Sequence, residues 1–414
     1  MRTFYIGKSK PSDSSCFMWN MIGSTIFALS SLILSVFVIR ITGSIVGGMF
    51  SIALTISQML MFIAFFEMRN YQVTDAKCEY TFSDYHTAKV VMCIVMGLVS
   101  ILYVLFMGYN LEKAIIVLLA CLYRMFDGYA DVYESQFQIE GRLDLAGKSM
   151  TFRTLFSIAV LMVCLLVSNR LLYALIAGNV AAFVGVFLCN VLVINQLRVA
   201  SFKRVWRSSK KIIQKCFPLF VGVFCWGFIL SASRIAIDWY MEYRYQSYFI
   251  LVFLPVSAIN LFGGFVFRPL LPKLTIYYKE KQDRLFWRII GKGILLLTLF
   301  TLFSMVVAFF WGIPILSIIS GLDLSGYRGI LVFLVMSGGL NAIGYTLYLI
   351  LTIMRGVKRI LIGYITTAIL SLITAFPMVR IFGLSGAAGS YFLSVLVLSL
   401  LFFFLIRLQI RNAK

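Results

Sequence analysis

The stretch FMWNMIGSTIFALSSLILSVFVI, residues 17–39, runs for 23 positions without a charged side chain. The hydrocarbon core of a bilayer is about 30 Å thick, and a helix rising ~1.5 Å per residue crosses it in roughly 20 residues. A run of this length predicts a membrane-spanning helix. It exceeds the about 7–15 apolar residues of a secretory signal, and no small-residue cleavage site follows it, so it is expected to stay as the first span.

The same pattern recurs along the chain. Further apolar runs lie near 44–66, 88–108, 113–137, 150–168 and 171–195, then near 216–237, 247–268, 288–311, 328–352, 359–379 and 385–406. The expected fold is an all-α integral membrane protein with about 12 transmembrane helices and no soluble domain. Composition agrees: the 414 residues are 61% hydrophobic and 13% charged, whereas a soluble domain carries about 25% charged residues.

Lysine and arginine set the orientation. One set of inter-span segments holds Arg2, Lys8, Lys10, Arg69, Lys77, Lys89, Arg142, Lys148 and Arg153. It continues through Arg198, Lys203, Arg204, Arg207, Lys210, Lys211 and Lys215, then Arg268, Lys273, Lys279, Lys281, Arg284, Arg288 and Lys292. Arg355, Lys358, Arg359, Arg407, Arg411 and Lys414 complete it. The opposite set has Arg40, Lys113, Arg170, Arg244, Arg328 and Arg380. Both termini are therefore expected in the cytoplasm. This asymmetry accounts for most of the net charge of +21, so nucleic acid need not be invoked as a partner.

Long internal segments at 67–87 and 269–287 each follow the second span of a six-span set, and a basic stretch at 196–215 joins the sets. The expectation is two parallel repeats, an N-terminal lobe of helices 1–6 over 1–200 and a C-terminal lobe of helices 7–12 over 201–414.

Charge at membrane depth is costly and marks cavities or pathways. The fourth span reads YRMFDGYADVYESQFQ over 123–138, and Arg124, Asp127, Gly128, Asp131, Ser135 and Gln138 fall on one helical face. Glu134 adds to it, and neither Asp131 nor Glu134 has a cation of its own in this helix. A water-lined cavity accounts for such a stripe; a dry Arg124–Asp127 pair holding helices together is the alternative. Arg234 and Asp238, one turn apart near the outer end of the seventh span, either line the same kind of cavity or snorkel to the interface. On this reading the mid-membrane cations are Arg124 and Arg234. Asn20, Gln58, Asn179, Asn190, Asn260 and Asn341 read as packing contacts between helices, and Pro255 as a bend.

The eight cysteines are scattered without a C-x-x-C pair and read as buried thiols, and the lone His86 falls in a polar loop. No metal site, cofactor or His-dependent catalysis is expected. No G-x-x-x-x-G-K-[ST] loop occurs, so energy would come from a coupling ion, H+ or Na+, from the membrane potential or from product removal.

The segments YQVTDAKCEY at 71–80 and ESQFQIEGRLDLAGKSMTFRT at 134–154, within this twelve-span plan, resemble the Wzx-type polysaccharide flippases of the multidrug/oligosaccharidyl-lipid/polysaccharide (MOP) exporter superfamily. The resemblance implies a two-lobe transporter in a bacterial cytoplasmic membrane, not an enzyme. It implies translocation of undecaprenyl-pyrophosphate-linked oligosaccharide from inner to outer leaflet for cell-surface polysaccharide assembly, by alternating access. The partners it implies are the lipid-linked oligosaccharide and the surrounding membrane lipids. The residues that fit a substrate-binding role are Arg124, Asp127, Asp131, Glu134, Arg234 and Asp238. Two alternatives remain. A cation-coupled multidrug exporter would use an acid in its first helix, but the first two spans have none before Glu67. A polysaccharide polymerase or acyltransferase would need a larger external surface than the short outer loops provide.

Overall fold

The computed structural model describes residues 11–75, 79–197, 206–267 and 270–413. Arg2, Lys8, Lys10, Lys77, Cys78, Arg198, Lys203, Arg204, Arg268 and Lys414 lie outside the described residues. Those described form helices in the order α1 (Asp13–Phe65), α2 (Met68–Thr74), α3 (Phe82–Met107), α4 (Leu111–Ile139), α5 (Leu143–Ser168), α6 (Leu171–Val186) and α7 (Leu192–Leu197). They continue with α8 (Trp206–Tyr240), α9 (Tyr243–Phe267), α10 (Leu271–Lys279), α11 (Asp283–Val307), α12 (Ile313–Ser320), α13 (Arg328–Ile353) and α14 (Val357–Ala413).

Local chemistry sets the helix ends. Ser12 caps α1 by accepting from the Ser15 N–H at 3.3 Å, and Asn110 caps α4 by accepting from Lys113 at 3.1 Å. At α3 the Thr81 N–H donates to Asp84 Oδ2 at 2.8 Å within a capping box, while Gly108, at φ 61°, stops the helix.

Among the described residues, nine stretches are long and apolar enough to cross a membrane. Two of them, of 62 and 55 residues, are each long enough for two passes. The first turns back at Gly43 (φ 80°, ψ −174°), so that Gln58 Nε2 donates to Ser31 Oγ at 2.6 Å across its two halves. The second turns at Gly383 (φ 57°), bringing Ser371 to within 2.8 Å of Ser394 and the Tyr364 and Phe402 rings to 5.3 Å. With α4, whose charges alone keep it out of the apolar set, the passes number twelve, as the sequence predicts. Only glycine sits comfortably at the Gly43 angles. Gly43→Ala is expected to destabilise the protein by about 1–3 kcal/mol, read as a lowered unfolding midpoint in detergent. An unchanged midpoint would show that the turn tolerates a Cβ.

The chain packs as two compact units, 1–224 and 225–414, with the boundary inside α8. In the first unit α4 packs against α1, α3, α5 and α6. A Cβ on Gly128 of α4 would meet the Ala64 Cβ of α1 at 2.4 Å, so this glycine permits the close approach of the two helices. α6 runs through a π-helical turn, Phe187–Val191, into α7, and there the buried Asn190 Oδ1 accepts from Ser149 Oγ at 2.9 Å. The second unit is built around Phe286, Ile290, Ile350 and Phe402, and Asn341 Nδ2 of α13 donates to Asn260 Oδ1 of α9 at 3.0 Å.

His86 is not in a loop. It lies in α3, its Nε2 at 2.9 Å from the Tyr129 hydroxyl and 3.2 Å from that of Tyr133. The apolar run used to place the third span begins two residues later, which is why the sequence leaves His86 outside it.

Candidate functional site

The stripe on α4 is buried: Arg124 is 2% exposed, Asp127 7%, Asp131 4% and Glu134 2%. Burying charge is tolerable only where each group finds an opposite partner and hydrogen bonds. The partners come from four other helices, and together they make one chain of seven charges.

At one end of the chain, Arg124 donates through Nη1 to Asp127 Oδ2 at 2.9 Å and through Nη2 to the hydroxyls of Ser30 and Ser31 on α1. Its guanidinium lies 5.4 Å from the centre of the Phe27 ring, also on α1. Arg153 of α5 donates to the other oxygen of Asp127 and reaches Glu134 Oε1 at 3.5 Å. Arg69 of α2 lies 3.4 Å from Glu134 Oε2 and 3.4 Å from Asp131 Oδ1. Lys89 of α3 closes the chain, donating to Asp131 Oδ2 at 3.0 Å and to the carbonyl of Phe65, the last residue of α1, at 2.9 Å.

This arrangement revises the charge census read from the sequence. Lys89 and Arg153 count there as interfacial cations of the inner segments, yet they are 1% and 3% exposed. The buried network holds four cations, Arg69, Lys89, Arg124 and Arg153, against three carboxylates, Asp127, Asp131 and Glu134. Asp131 and Glu134, which lack a cation on their own helix, thus have two cations each from other helices. Arg69 is the most accessible member, with 26% of its side chain exposed. Arg124 and Asp127 do pair, and Arg153 joins them on the second carboxylate oxygen.

Polar side chains extend the network toward the C-terminal end of α4. Arg69 Nη2 donates to Gln138 Oε1 at 3.4 Å, and Gln72 Nε2 to Gln136 Oε1 at 3.3 Å. The signal that would have found Arg153 is the set of small polar residues around it on α5: Ser149, Thr151, Thr154 and Ser157, all buried. Tyr123 of α4 meets this row through Ser157 at 2.7 Å.

Arg234 and Asp238 belong to the second unit. Both are partly buried on α8, and the Arg234 guanidinium lies 4.7 Å from the centre of the Phe253 ring of α9. The Arg234 carbonyl accepts from Gln246 Nε2 at 2.5 Å. Among the described residues, no three His, Cys, Asp or Glu side chains are grouped to hold a metal.

No family model matches the chain, and no curated protein sequence matches it. Solved structures do. An inward-facing multidrug resistance MATE family transporter of the MOP superfamily aligns over 96% of this chain and 100% of its own, at 13% identity and a TM-score of 0.68. The lipid II flippase MurJ in an inward closed conformation aligns over 94% of this chain and 87% of its own, at 13% identity and a TM-score of 0.74. A MOP superfamily transporter from Pyrococcus furiosus aligns over 96% and 94%, at 14% identity and a TM-score of 0.55. The chain is a multi-pass membrane protein with the fold of the MOP-superfamily transporters.

Proposed function

We propose that this protein is a flippase that carries undecaprenyl-pyrophosphate-linked oligosaccharide from the inner to the outer leaflet of a bacterial cytoplasmic membrane, by alternating access. The observation that carries the reading is the row of guanidinium groups along α4, from Arg69 through Arg153 to Arg124, inside the membrane-spanning part of the first unit. A guanidinium fork suits phosphate oxygens and stays charged at any relevant pH. Among the described residues four cations meet three carboxylates in ion pairs, and an arriving anion would compete for the same forks. Arg69, the accessible member, is the first contact in this mechanism. Its transfer from Asp131 and Glu134 to the pyrophosphate would leave Asp131 to Lys89 and Glu134 to Arg153, and pass the change through Arg153 to Asp127 and Arg124. In the second unit, Arg234 and Asp238 are the residues proposed to bind substrate. An inside-negative potential favours outward movement of an anion by about 2.3 kcal/mol per charge for each 100 mV.

Two further observations support the reading. The fold is shared with a structure whose name is lipid II flippase, and the lysine and arginine asymmetry favours both termini inside. The test is reconstitution into vesicles that carry a defined lipid-linked oligosaccharide in one leaflet, with protein orientation read from a cysteine introduced at Lys273. The protein should bring the glycan within reach of a lectin in the opposite leaflet, and Arg69→Ala should reduce this to the rate of empty vesicles. Export of cationic drugs on an ion gradient, with no movement of the lipid-linked glycan, would sink the proposal in favour of a multidrug exporter.

A further inference from the structure

We propose that a groove on the first unit holds one acyl chain of an anionic glycerophospholipid from the inner leaflet, with the lipid's phosphate on the first turns of α8. The groove encloses about 590 Å³. Its floor is α4, at Met125 and Tyr129; one wall is α3, at Ile94 and Gly97, and the other is Phe183 and Phe187, running from α6 into the π-helical turn. Ile94 and Phe183 are each 57% exposed, so the groove opens sideways, toward lipid in a membrane. No polar side chain interrupts it until Tyr129.

Length and charge choose the occupant. From Val90 to Gly97 on α3, and from Phe183 to Val191 opposite, the walls run roughly 10–12 Å at ~1.5 Å per residue. That fits within one leaflet, about half of the ~30 Å hydrocarbon core. A polyprenyl tail is far longer than the walls. One end of the groove is polar: the Tyr129 hydroxyl lies 2.9 Å from His86 Nε2 and 2.7 Å from the Tyr133 hydroxyl. By the lysine and arginine asymmetry this end faces the cytoplasm.

The first turns of α8 sit at that same end. Ile212 and Cys216 are buried in the cluster that holds Tyr133 and Met92, and Tyr129 and Val191 pack against it. Ser209 donates to the Asp84 carbonyl at 2.8 Å, two residues before His86. Lys215 is fixed to Glu79 at 2.9 and 3.0 Å, and this bond holds the exposed Glu79 carboxyl below the usual carboxylate range. Arg207, Lys210 and Lys211, on the same turns, are exposed. α8 has 35 residues, about 52 Å, so its first turns extend beyond a bilayer core. A lipid seated with its chain on Gly97 and Tyr129 would hold its phosphate at the level of these turns, whose three cations favour a net anionic headgroup over a zwitterionic one.

The experiment uses the full-length protein in phosphatidylcholine vesicles doped with a lipid bearing a diazirine on its acyl chain, followed by peptide mapping of the crosslinks. A phosphatidylglycerol probe should label 90–97 and 183–191 about tenfold more than a phosphatidylcholine probe, the scale expected of one to two interfacial cations acting on one extra charge. Gly97→Trp fills the groove and should abolish both signals. A Cβ at Gly97 meets nothing within 4 Å, so Gly97→Ala should unfold at the wild-type midpoint in detergent, and the Gly97→Trp midpoint is read beside it. Combined R207Q, K210Q and K211Q should lower the phosphatidylglycerol signal to the phosphatidylcholine level and leave the latter unchanged. Equal labelling by the two probes overturns the anionic headgroup. Labelling that survives Gly97→Trp overturns the groove. Preferential labelling by a diazirine polyprenyl phosphate overturns the phospholipid and gives the groove to the tail of a transported lipid.

Discussion

Replacing Asp127 with Ala is expected to remove about 3–5 kcal/mol of stability, the scale of breaking a buried ion pair by deleting one partner. Asp127 is 7% exposed, and its two oxygens serve two guanidinium groups, Oδ2 that of Arg124 and Oδ1 that of Arg153. Without the carboxylate, Arg124 retains only the Ser30 and Ser31 hydroxyls, and Arg153 only Glu134 at 3.5 Å. Both cations would stay buried with too little negative charge around them. Asp127→Asn keeps an acceptor of nearly the same shape and should lose less. On the alternative of a pair that only holds helices together, Arg124→Ala is the change that compensates Asp127→Ala. The structure predicts that this rescue is incomplete, because Arg153 is still short of a counter-charge. Adding Arg153→Met to the pair should recover more. Chemical unfolding in mixed micelles across this set of variants reads the couplings directly. A single Asp127→Ala protein that unfolds with the wild type would mean that water, not Asp127, satisfies the two guanidinium groups.

Lys89→Met should be almost as damaging, for a different reason. The Lys89 ammonium joins Asp131, at 3.0 Å, to the Phe65 carbonyl, at 2.9 Å. Just beyond that carbonyl the chain takes two consecutive left-handed residues, Phe66 at φ 47° and Glu67 at φ 53°, neither of them glycine. Such angles cost of order 1–3 kcal/mol each and persist only where neighbours hold them. Methionine fills the volume of the lysine stem but donates no hydrogen bond, so Asp131 would keep only Arg69, at 3.4 Å, and the end of α1 would lose its donor. The expected loss is again about 3–5 kcal/mol. The Glu67–Thr74 segment should also become a site of limited proteolysis, and transport should fall with it. Lys89→Arg keeps the charge and should lie between the two. Proteolysis and unfolding curves that match the wild type would show that the turn at Phe66 holds without Lys89.

The number of passes was legible because a lipid solvent imposes a simple length rule, and Gly43 and Gly383 fall between the runs that the rule marks out. The α4 stripe was legible because its charges break that rule. Its partners were not. Hydropathy assigns a cation near the end of an apolar run to the interface, and that is how Lys89 and Arg153 entered the topological count. Neither faces water, because each points across the bundle at a carboxylate on α4. A one-dimensional pattern has no way to encode which helix stands opposite. Three acids on one span do require cations from elsewhere, and the polar row on α5 was the available pointer to one of them. His86 shows the same limit, since three tyrosine and phenylalanine rings from two helices enclose a side chain that reads as solvated.

The π-helical turn between α6 and α7 shapes the groove by counting. A regular helix turns about 100° per residue, so eight residues carry a side chain roughly 80° past its starting direction. Phe183 and Val191 are eight residues apart, yet both line the groove, with Phe187 between them. The turn at Phe187–Val191 takes in one more residue than an α-helical turn, so those eight steps advance the wall by only about seven, some 20° short of two full revolutions. The extra residue thus keeps a straight apolar edge on a helix whose own winding would have swung Val191 out of line.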